Sequence, residues 1–312
     1  MYSERLDRGS VRCWRLGLIF IFYALVTVTS CALCTVTSFA GQSSPKDKAS
    51  NQFSHLTLKA LLTDKENPID MGLVWRVLRE NPHRLSSAET LQLVAISSSG
   101  VAEFVLEPGS YLVHVSYGLA GATARFDLEA GTRTETMRVN AGGLKLMSML
   151  SGDKKIPWDL VHFDILSLSP DERNGEGTVI QNLKPGKIIR LNADTYRVVA
   201  RYGDINAVSR AKIKVRPGKL TEATIYHKAA QITFKLLSAK SGRALANVSW
   251  SVISKRGTEV KSIAGAFPSV VLAEGMYSVV AEYDDKVYKR SFSVESGYDY
   301  TVTIKADKTG RS

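Results

Sequence analysis

Beyond residue 54 the chain is written in short runs of alternating apolar and polar side chains. Leu73, Trp75 and Val77 share one phase of such a run, Val161, Phe163 and Ile165 share another, and Val248, Trp250 and Val252 a third. A period of two sends successive side chains to opposite faces, so each run predicts a strand with one side in a core. No stretch beyond residue 54 sustains the 3.6-residue period of an amphipathic helix. The nearest helical signal is Ser86-Ser-Ala-Glu-Thr90, after Asn81-Pro82, which reads as the cap of one short turn.

The runs recur. Opening strands begin at Leu56, Leu144 and Ile232, each 88 residues from the last, and second strands centre on Trp75, Phe163 and Trp250, at spacings of 88 and 87. A third landmark is a frame of Leu, two residues, Gly or Asp, one residue, Tyr, and an alternating run that ends in a second Tyr. It reads Leu106-Glu-Pro-Gly-Ser-Tyr111 to Tyr117, Leu191-Asn-Ala-Asp-Thr-Tyr196 to Tyr202, and Leu272-Ala-Glu-Gly-Met-Tyr277 to Tyr283. Each copy predicts a tight turn feeding a half-buried strand, with Pro108-Gly109 setting the turn in the first. Return strands through Phe126, Ile213 and Phe292, turn glycines Gly131, Gly218 and Gly297, and closing strands from Glu135, Glu222 and Tyr300 complete the order.

This period is longer than the roughly 20–50 residues of a solenoid repeat. It suits a whole β-sandwich, which runs to about 100 residues. The domains fall at 55–142, 143–229 and 230–306, with a polar tail at 307–312. Short connections, Asn140-Ala-Gly-Gly143 and His227-Lys-Ala-Ala230, predict a stiff array. The inward sets of the frame strands are Tyr111/Val113/Val115/Tyr117, Tyr196/Val198/Ala200/Tyr202 and Tyr277/Val279/Ala281/Tyr283. Such aromatics in core phase dominate the interior they enter.

The run Gly100-Val-Ala-Glu-Phe-Val-Leu-Glu-Pro-Gly-Ser-Tyr-Leu-Val-His-Val115 resembles the closing half of prealbumin-like domains, also called carboxypeptidase-regulatory-like domains. The second and third copies depart from that pattern, with Asp194 and Gly275 standing at the turn without its proline. The resemblance implies seven-stranded sandwiches that serve as spacers, stabilising appendages or binding units in bacterial envelope proteins, and it carries no peptidase activity with it. The fold expectation is all-β: three tandem Ig-like or prealbumin-like antiparallel β-sandwich domains after an N-terminal apolar leader helix.

The first 40 residues differ in kind. Arg5, Arg8, Arg12 and Arg15 precede an uncharged run from Leu16 to Ala40, the layout of a secretory leader with Ser38-Phe-Ala40 as a cleavage site. Left uncut, residues 16–40 are long enough to span a bilayer with the arginines on the cytoplasmic side. Val28-Thr-Ser-Cys31 also fits a lipoprotein box, although apolar residues continue beyond it. Each alternative places the body in the cell envelope, on the periplasmic side of the cytoplasmic membrane. Residues 41–54 are polar and aperiodic, a flexible linker. Cys13, Cys31 and Cys34 all lie in the leader, so core burial alone must hold the body and thiolate metal sites are excluded from it.

Charge adds one surface. The net charge of +11 is uneven: residues 55–142 carry 8 Lys/Arg against 10 Asp/Glu, residues 143–229 carry 15 against 9, and residues 230–312 carry 12 against 8. Within the second copy, Arg210, Lys212, Lys214 and Arg216 share one phase of the return strand, and Arg197 and Arg201 share the outward phase of its neighbour. If the two pair, six cations line one face and would attract an anionic polymer. A solvated face that protects an edge hairpin from aggregation is the plainer alternative. An anionic glycan or lipid surface suits the compartment, and nucleic acid does not.

Catalytic patterns are missing. The chain has no GxxxxGK[ST], GxGxxG after a strand, HExxH or GxSxG. Its five histidines are scattered, with His114 and His162 on outward strand phases, and the carboxylate pairs Asp171-Glu172 and Asp284-Asp285 fall in turns. No cofactor is implied. The sequence points to a non-enzymatic envelope protein, a spacer or interaction rod for another envelope protein. The alternative is a module that binds an anionic surface through its second domain.

Overall fold

The computed structural model describes residues 52–64, 67–80, 91–168 and 177–306, which are all β apart from one 3-10 turn at Trp158–Leu160. The leader, most of the linker, the turn expected at Ser86 and the polar tail lie outside the described residues, as does the Asp171-Glu172 pair. Among the described residues no helix is long and apolar enough to cross a membrane.

The strands form six sheets, two for each sequence repeat. In the first, β1 (Ser54–Leu61), β4 (Val101–Leu106) and β7 (Gly131–Arg138) make a sheet of order β4-β1-β7, while β2 (Leu73–Glu80), β3 (Leu91–Ser97), β5 (Gly109–Tyr117) and β6 (Ala120–Leu128) make β3-β2-β5-β6. In the second, β8 (Ala141–Leu150), β12 (Ile188–Asn192) and β15 (Leu220–His227) form β12-β8-β15, with the short β9 (Lys154–Lys155) beside β8. Its other sheet, β11-β10-β13-β14, uses β10 (Val161–Ser167), β11 (Thr178–Leu183), β13 (Thr195–Tyr202) and β14 (Ala207–Lys214). In the third, β16 (Ala229–Ser238), β19 (Ser269–Ala273) and β22 (Tyr300–Ala306) form β19-β16-β22. Its partner sheet is β18-β17-β20-β21, from β17 (Ser249–Ser254), β18 (Glu259–Ala264), β20 (Gly275–Tyr283) and β21 (Lys286–Val294).

Three buried apolar clusters match the three sheet pairs. Trp75, Phe163 and Trp250 have no exposed surface, and the alternating residues beside them are equally buried. Of the frame-strand sets, Tyr117 and Tyr283 are only partly buried and the remaining members are buried. The two tryptophans need more than space, because an indole N–H must find an acceptor when buried. Trp75 Nε1 donates to Ser99 O at 3.0 Å, and Trp250 Nε1 donates to Gly265 O at 2.9 Å.

The expectation of antiparallel sandwiches holds for the sheets β3-β2-β5-β6, β11-β10-β13-β14 and β18-β17-β20-β21 and is corrected for the other sheet of each pair. One sheet of each pair is mixed: β1 runs parallel to β7, β8 to β15 and β16 to β22. The cause is direction counting. Seven main strands that alternate in direction leave the first and seventh pointing the same way, so their pairing is parallel.

The frame is also more than a turn within one sheet. β4 pairs with β1 and β5 pairs with β2, so Leu106 to Tyr111 carries the chain from one sheet to the other. The leucine is buried in each copy, and the tyrosine hydroxyl closes the corner by donating to the carbonyl four residues back. These bonds run from Tyr111 to Glu107 at 2.8 Å, Tyr196 to Asn192 at 2.9 Å and Tyr277 to Ala273 at 3.0 Å. Immunoglobulin-type sandwiches tie a corner with the same hydroxyl-to-upstream-carbonyl bond. Gly109 and Gly275 hold the corner at φ of 152° and 154°, which no other side chain adopts readily.

Candidate functional site

The basic face forms as the hairpin required. β13 and β14 pair antiparallel, with Arg197 opposite Lys212, Val199 opposite Arg210 and Thr195 opposite Lys214. Arg197, Arg201, Arg210, Lys212 and Lys214 project from the outer side of this sheet, and Arg216 lies in the turn beyond β14. All six are exposed. Val199, among them on the same side, is buried nonetheless, flanked by Asp164 and Arg210 on the neighbouring strands.

The six cations are not equivalent. Arg201 donates from Nε and an Nη to Asp164 Oδ2 at 3.1 and 3.0 Å, and the other oxygen of Asp164 accepts from the Asn182 backbone. Its charge is matched locally. The other five have no ion pair among the described residues. Like charges directly opposite each other on a sheet repel, and Arg197 and Lys212 are so placed. The corresponding face of the first pair differs: Arg125 meets Glu80 at 2.5 Å and Ser110 donates to Asp127 at 2.5 Å. His162, opposite Arg201 on this face, has its pKa lowered by burial, with Lys184 and Arg201 adding to the effect and Asp164 opposing it. His114 is also half-buried with a lowered pKa, chiefly through burial, and its Nδ1 lies 2.8 Å from Thr123 Oγ1. Both are partly buried although they stand on outward strand phases.

The residues that alternation did not reveal lie at the junctions between pairs, and both junctions follow one plan. The turn after the second frame tyrosine of one pair rests on the strand before the corner of the next. At the first junction, Leu119 N donates to Arg190 O at 3.0 Å, and Arg190 stacks its guanidinium 4.4 Å from the Tyr117 ring centre. Asn192 closes the contact: Oδ1 accepts from Gly121 N at 3.2 Å, while Nδ2 donates to Gly121 O at 3.0 Å and Val139 O at 2.9 Å. At the second junction the amide comes from the other partner. Asn206 Oδ1 accepts from Ala273 N at 2.9 Å and its Nδ2 donates to the Tyr277 hydroxyl at 2.8 Å. Lys261 reaches Asp204 at 2.5 Å, which holds that carboxyl below its usual range, and Val271 enters the second core. The only sequence signal for this plan was the glycine after the second frame tyrosine, Gly118 and Gly203.

Beside the second junction is an open cleft of about 620 Å³ lined by Ser209, Tyr226, His227, Lys228, Ala273 and Glu274, among others. His227 is 1% exposed, with Ser148 Oγ 3.1 Å from Nε2 and Ser209 Oγ 3.4 Å from Nδ1. Burial pushes its pKa down to about 4, a hydrogen bond to the Ala207 backbone offsetting this in part. The imidazole is thus held neutral between two serine hydroxyls. Among the described residues no three His, Cys, Asp or Glu side chains gather where they would hold a metal ion.

Comparison with known proteins adds a family for one segment. Residues 231–306 match the Rhizobiales growth-associated tandem repeat domain. No curated protein matches the chain. Among solved structures, the Bacillus anthracis TIE protein is similar over 83% of this chain at 16% identity and a TM-score of 0.24; the chain spans 51% of that protein's length. GBS52, the minor pilin of Streptococcus agalactiae, is similar over 56% of this chain and 95% of its own, at 14% identity and a TM-score of 0.33. BcpA, the major pilin subunit of Bacillus cereus, is similar over 82% of this chain and 100% of its own, at 10% identity and a TM-score of 0.25.

Proposed function

We propose that this chain is a non-enzymatic protein of the cell envelope, exported or anchored by residues 1–40, whose three prealbumin-like sandwiches act as a spacer of fixed geometry for an envelope partner. The observation that carries this reading is the pair of interlocked junctions. Short segments, Val139-Asn140 and Lys228, separate the closing strand of one pair from the opening strand of the next. Asn192 and Asn206 then bond across those junctions. A flexible connector would need neither. A half-buried amide that bonds across the junction resists rotation of one pair against the next, since a change of angle breaks those bonds. Small-angle scattering tests the reading. A body of residues 52–306 with an extended, narrow distance distribution agrees with it, and a compact globular profile overturns it.

A second reading has its own observation: five exposed cations on or beside one sheet, without ion pairs among the described residues and with two directly opposed across the ladder. A hairpin chosen for solubility alone has no reason to oppose Arg197 with Lys212. This face is read as a site for an anionic envelope glycan or lipid surface. Retention on heparin or anionic vesicles that falls steeply with salt, and is lost when Arg210, Lys212, Lys214 and Arg216 are changed to Ser, supports it. Retention unaffected by those changes ends it.

A further inference from the structure

We propose that the outer ends of the three-pair array are closed to a second copy of this chain, because Glu107-Pro108 at one end and Asp284-Asp285 at the other replace the residues that build each internal junction. This goes beyond the spacer reading, and it holds whatever the array carries.

Strand register identifies the corresponding positions. Val105 lies opposite His55, Arg190 opposite Gly143 and Val271 opposite Gln231, so these three share one place on the receiving strand. At the internal junctions that place is covered by a turn glycine. A Cβ on Gly118 would lie 3.0 Å from Arg190 Cβ, and one on Gly203 would lie 2.7 Å from Val271 Cβ. The preceding turn therefore approaches too closely to carry a side chain. Val105, with no turn upon it among the described residues, is 61% exposed.

Two further choices set the first pair apart. Three residues after that place, the backbone N–H of Ala193 donates to Asn140 O at 2.7 Å, and that of Glu274 donates to Lys228 O at 2.9 Å. Each bond ties a corner to the chain leaving the preceding pair. The same position in the first pair is Pro108, which has no N–H to give. One residue earlier, where Asn192 makes its three bonds at the first junction, stands Glu107, already paired with Arg79 at 2.6 Å. A carboxylate has no proton to donate to a turn carbonyl.

The donor end is altered to match. The residue after the second frame tyrosine is Gly118 in the first pair, Gly203 in the second and Asp284 in the third. All three have positive φ, at 67°, 71° and 52°, so this one residue keeps its backbone form while in the third pair it gains a side chain. The turns around it differ, with two residues between Tyr117 and Ala120 and between Tyr283 and Lys286 but four between Tyr202 and Ala207. Asp285 follows at φ 55°, and both aspartates are exposed. Set against another copy, Asp284 would meet Val105, losing water without gaining a partner, and Glu107 nearby would repel it. Head-to-tail addition through a non-closing contact is the route by which repeats become fibres, and each end of this array opposes it.

Sedimentation velocity on the full chain in mild detergent tests the proposal. The parent is expected to sediment as single copies at every concentration reached. The variant Glu107→Asn/Pro108→Ala/Asp284→Gly/Asp285→Asn is expected to form a concentration-dependent series of two, three and more copies, and adding Val105→Asp should return it to single copies. If the four changes unfold the first pair, as read by circular dichroism, Asp284→Gly/Asp285→Asn alone is measured for a shift toward two copies. Parent oligomers that Val105→Asp dissolves would overturn the proposal. So would an opened, folded variant that stays single.

Discussion

Asn206 donates from its side-chain amide to the Tyr277 hydroxyl at 2.8 Å, one residue in the second sheet pair and the other in the third. Tyr277 in turn donates to Ala273 O, so the bond that ties the third corner also anchors the second pair to it. A partner removed from such a chain leaves half-buried groups unpaired, at a cost toward the lower end of the about 1–3 kcal/mol that full burial would carry. Asn206→Ala and Asn192→Ala should each lower the coupling between neighbouring pairs by that amount. Urea unfolding should then separate into two transitions where the parent shows closer coincidence. A single transition unchanged in midpoint would show that the amides are idle.

The three corner tyrosines allow an internal comparison. Removing one hydroxyl should cost about 0.5–1.5 kcal/mol, the net worth of an ordinary hydrogen bond. Tyr111→Phe and Tyr196→Phe should fall in that range. Tyr277→Phe should cost more, since it also takes away the acceptor for Asn206. Equal losses at all three positions would deny the second role of Tyr277.

The central aromatic separates volume from polarity. Trp75→Ala should destabilise the first pair by about 3–5 kcal/mol, as for other buried aromatics. Trp75→Phe keeps a ring but leaves Ser99 O without its indole donor, so its loss should be smaller yet still measurable. Phe163 fills the same place without a polar bond, and Phe163→Leu should therefore act through volume alone. Chemical denaturation of the three variants gives the order.

Acid should weaken the second pair through His227. Its pKa is 6.5 when unfolded and about 4 when folded, so between those values the unfolded chain binds the extra proton. Stability is full above about pH 6.5 and declines as pH falls toward 4. His114 and His162 are lowered too, so the informative measurement is the difference between parent and His227→Gln across that window. The variant should show a shallower slope. Asp204, held down by Lys261, acts later, with its contribution lost only as pH drops below 3.8 and through its folded value. A parallel slope in parent and variant would remove His227 from the account.

Strand phase was legible because a half-buried strand must alternate, and Leu73/Trp75/Val77 can face only one way together. The basic hairpin was legible for the same reason: Arg210, Lys212 and Lys214 share a phase and Ile213 takes the other. What pairs with what was not. The corner at Leu106 to Tyr111 looks like any Pro-Gly turn until β4 and β5 are seen in different sheets. Asp164 neutralises Arg201 from a strand more than thirty residues away in sequence, with the two 37 apart. Asn192 and Asn206 do the same work from opposite partners, so no repeat of residue type betrays them. Proline at position 108, which reads as a turn former in the sequence, also takes from the corner an N–H that the other two copies use.

The parallel closure of each sheet pair has a mechanical consequence. Ser54 pairs with Gly131 and Leu61 with Arg138, so the chain joins the first sheet at one end of this ladder and departs at the other. Tension transmitted along the polypeptide pulls β1 and β7 in opposite directions along their length. The ladder bonds are then loaded together in shear, where an antiparallel hairpin at the same place would unzip one bond at a time. β8 with β15 and β16 with β22 repeat the arrangement, so a stretched molecule meets three such clamps in series.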